Sequence, residues 1–434
     1  MLSKEMYRSF RRVATPPKLD YHNGMGKKPA AVRSLLLLAL LALSCAGCAK
    51  AAKDTATDVA TTGGADAVSA ATAAKGPSPR ELLEGFMPGA MADGVVKIAM
   101  LVNQGEGDSS RQFIEGGVTE GRAMGFTVDS FVTGRDENRC RDFAAGIANA
   151  DYDGVVFAHG GVDFSYDILK PIGDRGVPIV TFEALPYRDG RSIKGLITTF
   201  QDDYSLARLS LETLLSYSEG GESRPARVIR VGCDLGITFL DRRAWEFGQF
   251  VRRGRIEEVA FVRLDGLENP RAAAWEALAA ILPRFPPGSA DAVWVPWDEF
   301  AIGCAEALAA AERRDIKLIS IDVSNEDMRL MQRHQGIWMA STAVDPKIAG
   351  TVTMRLLAAA LAGETLKETF SFSPQLVKTA DLNQAVNIAN ISMMVPGWGD
   401  GKGLFDHYQW MIDLKAAEGN HPRIPPLAAN PAAP

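Results

Sequence analysis

Polar and aromatic residues gather where short apolar runs end. The run VWVPW closes on Trp297, Asp298 and Glu299, and a helical pattern opens directly behind it. Asn103, Gln104 and Glu106 follow KIAMLV, Phe182 and Glu183 end VPIVTFE, and Asp322 and Ser324 follow ISI. Amides, carboxylates and an indole at such junctions suit a ligand that needs directed hydrogen bonds and an apolar wall. Capping is the plainer use for Asp298, which can accept from the free amides of a first helical turn and suits the positive end of the helix dipole. Capping leaves Trp297 unexplained.

Covalent chemistry finds little support. Gly107, Asp108 and Ser109 look like the GDS nucleophile block of lipase-like hydrolases, which also need a His three residues after an Asp. None of His22, His159, His334, His407 and His421 stands at that spacing, and no GxSxG occurs. VPGWGDGKG, Val395 to Gly403, lacks the GK[ST] ending of a phosphate loop and reads as a surface loop. RRGR at 252 to 255 reads as the solvated end of a helix. Beyond the leader, Cys140, Cys233 and Cys304 are odd in number with no metal-like spacing, so buried thiols are expected and neither a metal nor a cofactor. A binding protein is favoured over an enzyme. With a formal charge of −6 over 434 residues, the chain has no general attraction to nucleic acid or anionic lipid.

Export is written at the N-terminus. Lys27, Lys28 and Arg33 precede the apolar run Leu35 to Leu43, which is too short to span a bilayer, and small residues follow. Ala46, Gly47 and Cys48 resemble the lipobox of bacterial lipoproteins, in which the cysteine is acylated; Cys45 is the poorer alternative. Met25 is the better translation start. Residues 1–48 are therefore read as a signal peptide with lipobox, and residues 49–79, almost free of large apolar side chains, as a tether.

The elements that must position the polar junctions come next. VVKIAMLV (95 to 102), FTVDSFV (126 to 132), DGVVFA (153 to 158) and VPIVTF (177 to 182) alternate with helical spacing such as Phe113, Ile114, Val118 and Met124. After a helix pattern at 203 to 217 the alternation restarts, with strands expected at 226 to 233, 257 to 264, 291 to 297, 317 to 323 and 337 to 344. Strands alternating with helices imply two α/β lobes with parallel sheets, and ligands of such sheets bind beyond the carboxyl ends of the strands. Trp297 is thus expected to line a cleft.

The order of KIAMLVNQ, DGVVFA, GVPIVTFE, TTFQDDYSLARLSLETLL, TFLDRRAWEF, WDEFAIGCAEAL, KLISIDV and ASTAVDPKIAGTVTMRLLAAALAGE resembles the type I periplasmic binding proteins, in particular the ribose- and galactose-binding group, over Val95 to Glu364. The resemblance implies two Rossmann-like lobes joined by three crossings, near Thr199 to Asp202, near Ala343 to Pro346 and beyond about Phe372. Lobe 1 would then comprise 80–198 with 345–372 returning to it, lobe 2 would comprise 199–344 with part of 373–417, and 418–434 would be a Pro/Ala-rich tail. It adds Gln201, Asp202, Arg243 and Val344 to the candidate ligand contacts. It also shows departures: Trp297 stands where the sugar binders have Asn, Val344 where they have Gln, and Phe182, Glu183 and Ala184 where an Asp-Arg pair is usual. Exchanging amides for Trp and Val removes donors and adds apolar wall, so the implied ligand is sugar-like with a more apolar face than ribose. An amphipathic molecule such as a terpenoid or sterol is the alternative ligand. The resemblance further implies a periplasmic monomer that serves an ABC permease without doing chemistry, and the lipobox adds a lipid anchor. A receptor for a sensor kinase is the rival reading. A lactose-repressor-like regulator would need an N-terminal helix-turn-helix, where this chain has a leader and tether.

Overall fold

The computed structural model describes residues 96–105, 107–218, 224–401 and 403–419. The expected leader with Cys48, the tether, residues 80–95, Glu106 and residues 420–434 lie outside the described residues.

The first half runs β1 (Lys97–Val102), α1 (Asp108–Ala123), β2 (Thr127–Val132), α2 (Glu137–Asn149), β3 (Gly154–Gly160), α3 (Val162–Asp174) and β4 (Ile179–Ala184). A small hairpin, β5 (Tyr187–Arg188) and β6 (Arg191–Ser192), leads to β7 (Ile197–Gln201). The second half runs α4 (Asp203–Tyr217), β8 (Ala226–Gly232), α5 (Thr238–Arg252), β9 (Ile256–Arg263), α6 (Pro270–Ile281), β10 (Ala292–Trp294), α7 (Asp298–Ala310), β11 (Lys317–Ile321), α8 (Asn325–Arg333) and β12 (Trp338–Ala343). The chain then adds α9 (Pro346–Leu361), β13 (Thr369–Phe372), β14 (Gln375–Lys378) and α10 (Gln409–Gly419).

These strands make two six-stranded sheets, ordered β13-β7-β4-β3-β1-β2 and β14-β12-β11-β10-β8-β9. Within these two sheets every pairing is parallel except β12 with β14. Helices cover both faces of each sheet, which is why strands such as KIAMLV read as continuous apolar runs. The chain therefore forms the two-lobed α/β architecture that its sequence implied. It crosses between lobes at Gln201 to Asp203, at Ala343 to Pro346, and at Phe372 to Gln375.

Two details correct the sequence reading. The strand expected over 291 to 297 stops at Trp294, because Pro296 has no N–H to continue the ladder. The VPGWGDGKG loop is not superficial: Val395 and Trp398 are buried in the second-lobe core beside Ile388 and Ile391. Its apolar residues follow neither a helical nor a strand period, so their burial had no sequence signal.

Close helix packing fixes the returning α9. A Cβ on Gly116 would lie 2.0 Å from the Lys347 carbonyl oxygen, and one on Gly350 would lie 1.9 Å from that of Phe113, so α1 and α9 touch backbone to backbone. That contact ties the second crossing to the helix that opens at Asp108.

Candidate functional site

Charge in the second lobe converges on Arg243, one turn into α5 and fully buried. Its Nε donates to Asp203 Oδ1 at 2.9 Å, and its Nη1 donates to the Pro296 carbonyl and to Asp322 Oδ2, both at 2.7 Å. Arg242 adds a 3.2 Å bond to Asp203 Oδ2. Burial opposes the charge of Arg243, but the Asp322 and Asp203 carboxylates more than offset it and hold its pKa above the usual value. Burial raises Asp203 despite both guanidinium groups.

Asp322 is held by backbone as well as by charge. It follows β11 in the left-handed region, at φ 73°, where a non-glycine residue is uncommon. Its carbonyl receives the end of a relay: Trp338 Nε1 donates to Ser320 Oγ at 2.9 Å, Ser320 to Ser341 Oγ at 2.9 Å, and Ser341 to the Asp322 oxygen at 2.6 Å.

The first lobe contributes a different pair. Along β3 and β4, Ala158 is in register with Phe182 and Gly160 with Ala184, which sets His159 beside Glu183 at the strand ends. Both are left-handed, at φ 64° and 52°. Strained non-glycine residues gather where surrounding structure over-determines them, commonly at ligand sites. Burial, then the Arg135 guanidinium, lowers His159 to about 4, so its imidazole is neutral. Burial and the Asp203 carboxylate push Glu183 up to about 8, against the Gln201 amide that donates to its Oε1 at 2.6 Å.

Trp297 is half-buried beside Pro296, edge-on to Phe300 at 5.1 Å and to Phe239 at 6.5 Å. It takes the N-cap position of α7, so the cap expected of Asp298 is not made in that form: Asp298 is the first helical residue and accepts the Glu299 amide at 2.8 Å. Burial, then Asp327 and Asp322, holds the Asp298 carboxyl well above the usual range. Burial also pushes Asp327 up to about 6.

The structure therefore gathers Glu183, Gln201, Arg243, Trp297, Asp298 and Asp322 around one junction of the lobes. Asn103 lies nearby, accepting from Thr133 Oγ1 at 2.5 Å, and Gln104 accepts from Arg135 Nε at 2.9 Å. Other candidates are drawn into structural duties. Phe182 is buried, stacked on Phe113 at 4.7 Å and edge-on to Phe372, and Val344 joins the same first-lobe core. Asp202 caps α4 by accepting from Ser205 N at 3.0 Å and Oγ at 2.6 Å. Ser324 closes a capping box with Asp327 at the start of α8. Sequence reasoning missed Asp203, His159 and Asp327. Asp202 was the candidate, and its neighbour Asp203 makes the ion pair.

The lobes also touch at their rim. Asn325 N, at the start of α8, donates to Asp108 Oδ2 of α1 at 3.1 Å.

Known proteins share this arrangement. A family model described as a periplasmic binding protein domain matches residues 98–365, more than half of the chain. The structure of a sugar ABC transporter protein from Yersinia enterocolitica is 31% identical, with TM-score 0.64, covering 76% of this chain and 98% of the other. A 5-methylthioribose transporter solute-binding protein from Thermotoga lettingae, in complex with 5-methylthioribose, is 26% identical, with TM-score 0.62 over 74% of this chain and 97% of the other. A periplasmic ribose ABC transporter protein from Conexibacter woesei, at 16% identity and TM-score 0.59 over 69% of this chain and 95% of the other, shares the fold. No curated protein sequence matches significantly. With two parallel-sheet lobes, three crossings and polar strand ends facing one junction, the chain belongs to the type I periplasmic binding protein family.

Proposed function

We propose that the protein captures an uncharged, sugar-like solute with one apolar face between its lobes and passes it to an ABC permease, held at the membrane by a lipid on Cys48. The observation that carries this reading is the neighbourhood of Pro296: its carbonyl is held by the buried Arg243, and the next residue is the half-exposed Trp297. A polar anchor and an indole wall thus stand one residue apart. Across the junction, His159 and Glu183 are held uncharged, which favours hydroxyl partners over ionic ones. The Thermotoga relative binds a pentose carrying a methylthio group, a solute of this double character.

Calorimetric titration with 5-methylthioribose and with ribose tests the reading. The thioether is expected to bind at least about tenfold tighter, since burying two carbon-sized groups is worth roughly 1.5 kcal/mol. Trp297→Ala removes the wall, weakening 5-methylthioribose about thirtyfold and ribose much less. Equal affinities for the two sugars in the parent protein contradict the apolar face, and failure of any monosaccharide to bind contradicts the sugar reading. Cys48→Ser moves the protein from the membrane fraction to the soluble one; unchanged membrane retention rules out Cys48 as the anchor.

A further inference from the structure

Past β14 and outside the stretch matched by the family model, the chain makes another passage between the lobes. Val386, Ile388, Ile391, Val395 and Trp398 bury themselves in the second-lobe core against α8, and the Ile388 amide donates to Asn325 Oδ1 at 2.7 Å. Phe405, Trp410, Met411 and Leu414 then enter the first-lobe core that α1 and α9 cover. Between them the segment passes the hinge: a Cβ on Gly397 would meet Gln375 Oε1 of the third crossing at 2.3 Å, and one on Gly401 would meet Ile348 Cγ2, just past the second, at 3.1 Å.

The first-lobe end is anchored by polar contacts as well. Arg355 Nη1 donates to the Leu404 carbonyl at 2.6 Å and to Asp406 at 3.2 Å, while its Nε donates to Glu120 at 2.6 Å. Trp410 Nε1 donates to Glu364 at 3.0 Å, and Lys415 pairs with Glu120. The strand crossings are short and sit at the hinge edge of both sheets, where β13 and β14 lie. This passage instead begins at Asn325, the residue of the rim contact with Asp108. It therefore spans the same side of the cleft from rim to hinge.

A link buried in both cores resists separation of the surfaces it joins, whereas the opposite side, where α2 and α5 cover the sheets, has no such passage among the described residues. We propose that residues 386–401 and 403–414 act as a strap that holds the α1/α8 side of the cleft shut, so that the lobes part, and solute enters, on the α2/α5 side. Opening becomes a swing about the strapped side. The proposal does not depend on which solute binds.

Distance distributions between genetically encoded spin labels in the solute-free full chain test it. One pair, at Ser109 and Arg329, spans the strapped side; the other, at Asn138 and Thr238, spans the opposite side, and all four positions are exposed. The distribution on the α2/α5 side is expected to be roughly twofold broader than on the strapped side. Trp410→Ala, which frees the first-lobe anchor, should broaden the Ser109–Arg329 distribution to match. Should that variant fail to fold, Asp406→Ala with Lys415→Ala, which trims one exposed and one half-buried polar anchor and leaves the apolar ones in place, should broaden it in the same direction. Equal widths on the two sides of the parent protein, narrow or broad, overturn the proposal. So does an unchanged strapped-side width in the folded anchor variants.

Discussion

The two halves of the cleft hold their polar groups in opposite ways. In the second lobe, Arg243 is charged, buried and paired to Asp203 and Asp322, and every bond in the cluster joins side chains or carbonyls already in place. In the first lobe, His159 and Glu183 are held uncharged on left-handed backbone, with the Gln201 amide bonded to Glu183. One half spends its interactions on preorganisation, the other keeps hydrogen-bonding capacity for a solute. The difference fits a clamp in which one jaw is stiff and the other becomes satisfied on closure.

The contrast is most exposed to removal of the central cation. Arg243→Ala leaves buried Asp203 with only Arg242 and half-buried Asp322 without its guanidinium, and breaking such a cluster typically costs about 3–5 kcal/mol. Urea melts of the solute-free protein should show that loss; a change below about 1 kcal/mol would mean that the second-lobe cluster is not the stiff half.

A pH series addresses the first lobe. The folded chain keeps on Glu183 a proton that an unfolded chain releases near pH 4.5, so the contribution of this group to stability falls as pH rises from there and levels off above about 8. The slope is at most about 1.4 kcal/mol per pH unit, lessened by solvent that reaches the half-buried side chain. Glu183→Gln should flatten the decline between about pH 5 and 8 while leaving the acid-side stability near that of the parent. Asp327 and Asp298 shift in the same direction, so part of the slope persists in the variant. Identical slopes in parent and variant would place Glu183 among ordinary exposed carboxylates.

The smallest effect separates a cap from a contact. Asp202→Ala should cost about 1 kcal/mol in the same melts through loss of the α4 cap, with affinity for 5-methylthioribose unchanged. A tenfold loss of affinity without loss of stability would return Asp202 to the ligand wall.

Much of this was legible in the sequence, and for physical reasons. Runs such as IAMLV and VVFA are continuously apolar because both faces of a parallel strand are covered, so the two lobes could be read directly. Arg243 and Asp322 stood in segments whose order resembles the family. His159 was weighed only as a base for hydrolase chemistry, and nothing in the residue types reveals that the chain turns left-handed there. Asp203 was hidden by its neighbour, since two consecutive aspartates at a helix start give no sign of which one caps. The strap was invisible for a further reason: Val386, Ile388, Ile391, Val395 and Trp398 follow no period, because irregular chain is shaped by the surface it covers.

The relay from Trp338 through Ser320 and Ser341 to the Asp322 carbonyl has a consequence for how such a cleft can change its cargo. The strand end that presents Asp322 is fastened to an indole in the interior of the sheet, on a neighbouring strand. New solute preferences are therefore more accessible through side chains that hang free of this wiring, Trp297 first among them. Altering the orientation of Asp322 would require three buried polar groups to find new partners at once, so this corner of the pocket is the part that descendants of the protein are least able to redraw.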